Sequence, residues 1–289
     1  MFRMQGAVGR LGRCAWAQLS GVARPLALGA GLALALFLAG PVAAQNRAHP
    51  WIASPPRLQA EAYFTNLHDG DTVQSPFVVR FGLNLWGIAP AEHDIVRTGH
   101  HHLLIDKPLP IPPNRPIPFD DHHVHFGKGQ MERVLDLPPG RHTLRLLLAN
   151  HAHVPYFIYS PEITVTVKPG RSKLPADYGK QPRVEILGLS DNAVAKPPFR
   201  VNFHASGLNV ASSAAKVKGT GHFQLLLHPT APGGKDVALD FAGGETEAWL
   251  QPPAGSYRAQ LVFVSNVGDA SKPLATSGAL NLRVGGDAP

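Results

Sequence analysis

The chain has 289 residues, a formal net charge of +7, 28 prolines, 29 glycines and one cysteine, Cys14. The basic excess sits in the leader, where Arg3, Arg10, Arg13 and Arg24 precede the first acidic residue, Glu61. No Lys/Arg stripe remains elsewhere, which excludes nucleic-acid binding, and a single cysteine excludes an internal disulfide framework.

In chain order, Pro25 to Gly40 reads PLALGAGLALALFLAG, too short and too rich in Gly and Ala for a membrane span. Val42, Ala43 and Ala44 then supply the small residues that a signal peptidase reads. Residues 1–44 are therefore expected to be a signal peptide cleaved after Ala44. The chain is then periplasmic or secreted, with no stable membrane anchor after cleavage. Cleavage removes four of the 27 basic residues and none of the 20 acidic ones, lowering the net charge from +7 to +3. Cys14 leaves too, so stability must come from an apolar core. The 245 residues that remain suffice for two domains of about 100 each.

The rest of the chain repeats itself. Pro56-Arg57-Leu58 opens one copy and Pro182-Arg183-Val184 the other. Ser75 to Phe81 answers to Lys196 to Phe203, and Thr98 to Ile105 (TGHHHLLI) to Thr220 to Leu227 (TGHFQLLL). Phe126 to Glu132 (FGKGQME) answers to Phe241 to Glu247 (FAGGETE), and Pro138-Pro139-Gly140 to Pro253-Ala254-Gly255. Strands are predicted at 77–83, 143–148, 163–167 and 280–284 from period-2 alternation, with Gly/Pro turns between. No long amphipathic helix appears. The pattern predicts an all-β protein with two tandem antiparallel immunoglobulin-like β-sandwich domains, 57–168 and 183–284, and a linker at 169–182. Lys107 to Asp121 holds six prolines, so it cannot sit in a central strand and is expected to be an extended loop.

Histidine is the unusual residue. Eleven of the fifteen fall in the first copy and three in the second. Neutral imidazole binds zinc, copper and nickel, and residues two apart on a strand share a face. His100 with His102, His123 with His125, and His151 with His153 form three His-x-His pairs that could build one nitrogen site for copper or zinc. His102, His125, His151 and His153 answer to Gln224, Asp240, Asn266 and Gly268, so they are gains of the first copy. His100 answers to His222 and could equally be structural. His101 answers to Phe223 and is expected to face the core with its ring nitrogens satisfied. Asp94, Asp106, Asp120 and Asp121 could add ligands or orient rings.

The blocks Tyr63–Leu83, TGHHHLLID, HVHFGKGQME, LPPGRHTLRLLL and NHAHVP resemble a bacterial exported domain, the domain of unknown function 4399 family. The resemblance covers about 60–168, and the second copy keeps only its skeleton. Met131 stands where the family usually has Thr. The resemblance implies export and a small β domain, and it implies no activity.

No Gly-x-Ser-x-Gly elbow, phosphate loop or His-Glu-x-x-His helix is present, so no enzyme class is indicated. Two readings follow. One is a metal-binding protein whose ligand affinity falls below about pH 6.5, since ligand histidines must be neutral. The other is a non-catalytic interaction module for a protein or envelope partner such as a cell-wall polymer. There the histidines are structural and Trp51, Trp86, Tyr156, Phe157 and Tyr159 make the contacts.

Overall fold

A computed structural model describes residues 49–109, 111–269 and 271–285, so the expected leader and its cleavage point lie outside the described residues. A short β1 (Ile52–Ala53) precedes the first copy. That copy contributes β2 (Ala62–Phe64), β3 (Thr72–Gln74), β4 (Phe77–Leu83), β5 (Gly87–Ile88), β6 (Thr98–Ile105), β7 (His123–His125), β8 (Glu132–Leu135), β9 (Gly140–Ala149), β10 (Pro155–Tyr159) and β11 (Ile163–Lys168). The second contributes β12 (Arg183–Leu187), β13 (Ala193–Ala195), β14 (Phe199–Ser206), β15 (Asn209–Val210), β16 (Thr220–Pro229), β17 (Val237–Phe241), β18 (Glu247–Leu250), β19 (Gly255–Ser265), β20 (Ala275–Thr276) and β21 (Leu280–Val284).

Alternation decides which side of each strand is buried. In β11, Ile163, Val165 and Val167 face inward while Thr164 and Thr166 do not, and in β21 Leu282 and Val284 are the buried positions. Each copy is an immunoglobulin-like β-sandwich. In the first, β2-β4-β8 faces β3-β11-β9-β6-β5, with β10 on β9 and β7 on β6. In the second, β12-β14-β18 faces β13-β21-β19-β16-β15, with β20 on β19 and β17 on β16. The copies match strand for strand, including two parallel pairings each: β3 with β11 and β5 with β6, then β13 with β21 and β15 with β16.

The copies are packed on each other, and the described residues of both fall in one compact unit. β1 pairs with β18 of the second copy. The Ile88 amide donates to Gly244 O, and the equivalent Val210 amide donates to Gly129 O, both at 2.8 Å. A Cβ on either glycine would collide with the carbonyl of Val210 or Ile88, and both have positive φ (+94 and +85). The glycines of FGKGQME and FAGGETE are thus required by this reciprocal contact. Thr246 Oγ1 donates to Leu83 O at 3.0 Å and accepts from Leu83 N at 2.9 Å.

Glu132 also ties the copies together. It accepts from Tyr178 Oη at 2.9 Å and His204 Nε2 at 3.1 Å, and it pairs with Arg80 Nε at 3.2 Å. Burial raises its pKa, but the bonds from His204 and Tyr178 help to outweigh burial and hold it down at about 2. The linker is strapped down rather than free. Arg171 makes two bonds to Asp136 at 2.6 and 2.8 Å, and Ser172 N donates to Ser75 O at 2.8 Å.

Candidate metal centre

β6 has two unlike sides. His101, Leu103 and Ile105 point into the sandwich core, while His100, His102 and Leu104 point to the outer face of the sheet. An outer face would normally be wet. Here every residue of β6 is buried, because the proline-rich segment folds over it. Leu109, Ile111 and Ile117 of that segment pack with Leu104, Leu147 and Ala149 in a small second core. Among its described residues the segment holds no strand over 107–109 and 111–119, as its prolines require.

Two further elements bring imidazoles to the covered face. β7 pairs with β6 so that His125 lies directly opposite His102. The turn after β9 supplies His153 in a left-handed conformation, φ +63. Asn150 shapes this turn by accepting from Ala152 N at 2.9 Å and Val154 N at 3.0 Å through its side-chain oxygen. Ile117 N then donates to His153 O at 2.9 Å, tying the cover to the turn.

His100, His102, His125 and His153 therefore converge, with one ring nitrogen from each within 4.8 Å of all the others. His100 Nε2 lies 3.1 Å from His102 Nε2 and 3.2 Å from His153 Nδ1, and His102 Nε2 lies 3.2 Å from His125 Nδ1. Nitrogens on a tetrahedral ion with bonds near 2.05 Å would stand about 3.3 Å apart, so these three spacings suit a common ion, while the widest, up to 4.8 Å, would have to close on binding. Burial, then the neighbouring histidines, push the pKa of His100 to about 3, of His102 to about 2 and of His125 to about 4. These rings are neutral over the physiological range, the state a ligand needs. Among the described residues no carboxylate contributes to these three shifts, and Nδ1 of both His100 and His102 has no hydrogen-bond partner.

The other two histidines of the expected set lie elsewhere. His123 Nδ1 donates to Asp120 Oδ1 at 2.7 Å, and His151 stands half-exposed with Nδ1 3.4 Å from Asp94 Oδ1. His-x-His pairing on a strand makes two rings share a side, but it does not hold their outer torsions against a nearby carboxylate. His101 faces the core, its ring 4.9 Å from that of Phe81. The expected partners of its nitrogens are missing: neither nitrogen has one, and burial lowers its pKa to about 3. Phe119 was not anticipated. Its ring lies 4.7 Å from His125 and 5.9 Å from His153, and the residue is 69% exposed at the edge of the cluster. An aromatic at the end of a proline run was the available signal.

Trp51, Trp86 and Tyr156, expected to be exposed contact residues, are only half-buried flank of the core, with the Trp86 and Tyr156 rings at 4.9 Å. Phe157 and Tyr159 are exposed.

The second copy keeps the place and changes the chemistry. His222 stands where His100 does, and β17 pairs with β16 so that Asp240 lies opposite Gln224. His222 Nδ1 donates to Asn266 Oδ1 at 2.6 Å and Nε2 to Asp240 Oδ1 at 3.0 Å. Asn266 Nδ2 in turn donates to Ala211 O, Ser212 O and Thr220 Oγ1 at 3.0 to 3.2 Å.

A pair of packed immunoglobulin-like sandwiches, one carrying a four-histidine cluster with two buried and two half-buried members, is the class of protein defined here. The sequence profile of the family described as "Domain of unknown function (DUF4399)" matches residues 79–168 and 201–285, more than half of the chain, and the chain belongs to that family. The match takes in the second copy as well as the first. No curated protein matches the sequence. Among solved structures the chain is similar to the CbhA fibronectin(III)-like modules of Clostridium thermocellum, at 11% identity over 77% of this chain and 92% of that one, TM-score 0.24. It is also similar to dimeric latent PorU from Porphyromonas gingivalis (11%, 78% and 20%, 0.27) and to a two-domain fibronectin type III segment of chicken tenascin (10%, 76% and 95%, 0.19). The sandwich assignment stands on the strand connectivity above.

Proposed function

We propose that this is an exported binding protein that holds a transition metal, copper or zinc, through His100, His102, His125 and His153. The observation that carries this reading is the convergence of four ring nitrogens from three separated elements, β6, β7 and the turn after β9. Four imidazoles are a full ligand set for either metal. Export rests on the leader, whose basic residues, apolar run and small residues before Gln45 match a cleaved signal. The protein would act by binding rather than turnover, outside the cytoplasm.

Titration of the purified protein with copper and with zinc tests this. One equivalent should bind saturably. His125→Ala should weaken binding, while His123→Ala should leave it unchanged because His123 is turned to Asp120. No saturable binding of either metal, or equal losses in both variants, would reject the assignment.

A second reading draws on the same distances. Contacts of 3.1 to 3.2 Å also suit N–H···N hydrogen bonds, so the cluster could be a structural knot inside an interaction module. The exposed Phe157 and Tyr159 border an apolar cavity of about 180 Å³ with Leu109, Ile111 and Leu147, a surface suited to a protein or envelope partner. Metal-independent stability of the cluster with no metal uptake would favour it.

A further inference from the structure

We propose that the four-histidine site selects monovalent copper, Cu(I), over divalent ions. This rests on the metal-binding reading above and asks which charge the site can bear. The cluster consists of four histidines, with no carboxylate or thiolate among its converging atoms. A bound cation therefore keeps its full formal charge. Three carboxylates near the cluster strands in sequence are engaged elsewhere, Asp106 with His142, Asp120 with His123 and Asp94 with His151.

The surroundings do little to offset a charge. His100 and His102 are fully buried, and Leu109, Ile111 and Ile117 cover their sheet face. Ligand histidines commonly donate their second ring nitrogen to a carboxylate or carbonyl, which makes the imidazole a stronger donor. Here Nδ1 of His100 and of His102 has no acceptor. Desolvation cost grows with the square of the charge, so a divalent ion costs about four times a monovalent one at the same depth. Cu(I) and Zn(II) both have a filled d shell and impose no geometry on imidazole donors, so charge separates them, and Cu(I) carries the single charge that a largely dry site without carboxylates tolerates better.

The second copy shows what a divalent-tolerant version would need. Asp240 occupies the place of His125, and the half-buried Glu245 lies near enough to act on His222. Both His125→Asp, which copies that arrangement, and His153→Asp, at a left-handed position that Asp accepts, put one negative charge into the first cluster.

The test uses the purified full chain under anaerobic conditions. Cu(I) affinity is read by competition with a chromophoric chelator and Zn(II) affinity by competition with a fluorescent one. The native protein should bind Cu(I) more tightly than Zn(II), and either Asp variant should shift the ratio toward zinc by at least about tenfold. Native protein that prefers zinc, or a ratio unchanged in both variants, would overturn the selectivity while leaving metal binding in place. If neither ion binds, the metal-binding reading itself fails and this inference falls with it.

Discussion

The two histidine-centred clusters occupy the same place in the two copies and differ in where their ring nitrogens point. In the second copy, His222 gives both nitrogens to side-chain oxygens, Asp240 and Asn266, and Asn266 gives its own protons to Ala211, Ser212 and Thr220. In the first, His100, His102, His125 and His153 point at one another, and two of the outer nitrogens have no partner. Burial disfavours charge in both places. In the second copy the bonds to Asp240 and Asn266 outweigh burial, and the His222 pKa is raised. In the first copy no acceptor opposes burial, and the pKa values fall. A closed hydrogen-bond network is a structural solution. In the first copy the converging nitrogens have only one another as partners, the arrangement on which the metal-binding proposal rests.

Acid should separate the two clusters most strongly. An unfolded histidine takes up its proton near pH 6.5, while folded His100, His101 and His102 resist until about pH 3, 3 and 2. The unfolded chain therefore binds more protons between these limits, and stability falls as pH drops below about 6.5. At pH 5 the loss is about 2 kcal/mol for each of these buried rings. Urea unfolding of metal-free protein at pH 7.5 and 5.0 should show it, and equal midpoints would remove the claim that the rings are held neutral. His222 has the opposite sign. Its contribution is present below about pH 6.5 and is lost as pH rises through its raised value.

Next in size is ligand loss. His102→Gln, which installs the residue that the second copy carries at that place, should fold normally and weaken metal binding by about a hundredfold. Native affinity in this variant would show that His102 is not a ligand.

His222→Ala strikes the other cluster. It leaves Asp240 and Asn266 without their shared partner and should cost about 2 kcal/mol in urea unfolding, with metal uptake unaffected. A loss of metal binding here would mean that the two clusters are coupled.

The smallest effect is a gain. His101 lies in the core beside Phe81 with both ring nitrogens unpartnered, and its counterpart is Phe223. His101→Phe should stabilise the protein by about 1 kcal/mol, because it removes buried polar atoms without opening a cavity. Destabilisation would indicate that a ring nitrogen of His101 has a use the static structure does not reveal.

Much of this comparison was legible in the sequence. The register of TGHHHLLI against TGHFQLLL already separated His102 from Gln224, and FGKGQME against FAGGETE placed His125 opposite Asp240. The all-β class and the repeat followed from alternation and turn residues. The selection of four rings from six was not legible. Asp120 captures His123, Asp94 stands beside His151, and Asn150 shapes the turn that delivers His153. Each depends on torsions and neighbours that spacing does not specify.

By itself, then, the sequence determined two strand-rich copies, a histidine excess confined to one of them, and the side of β6 on which His100 and His102 stand. Period-2 geometry is local and can be read from the order of residues. Only the tertiary structure decided that the proline-rich segment would cover that side, that β7 and the turn after β9 would meet there, and that glycines 129 and 244 would lock the copies together. Burial and convergence arise between segments far apart in the chain, and burial is what disfavours charge on His100, His102 and His125.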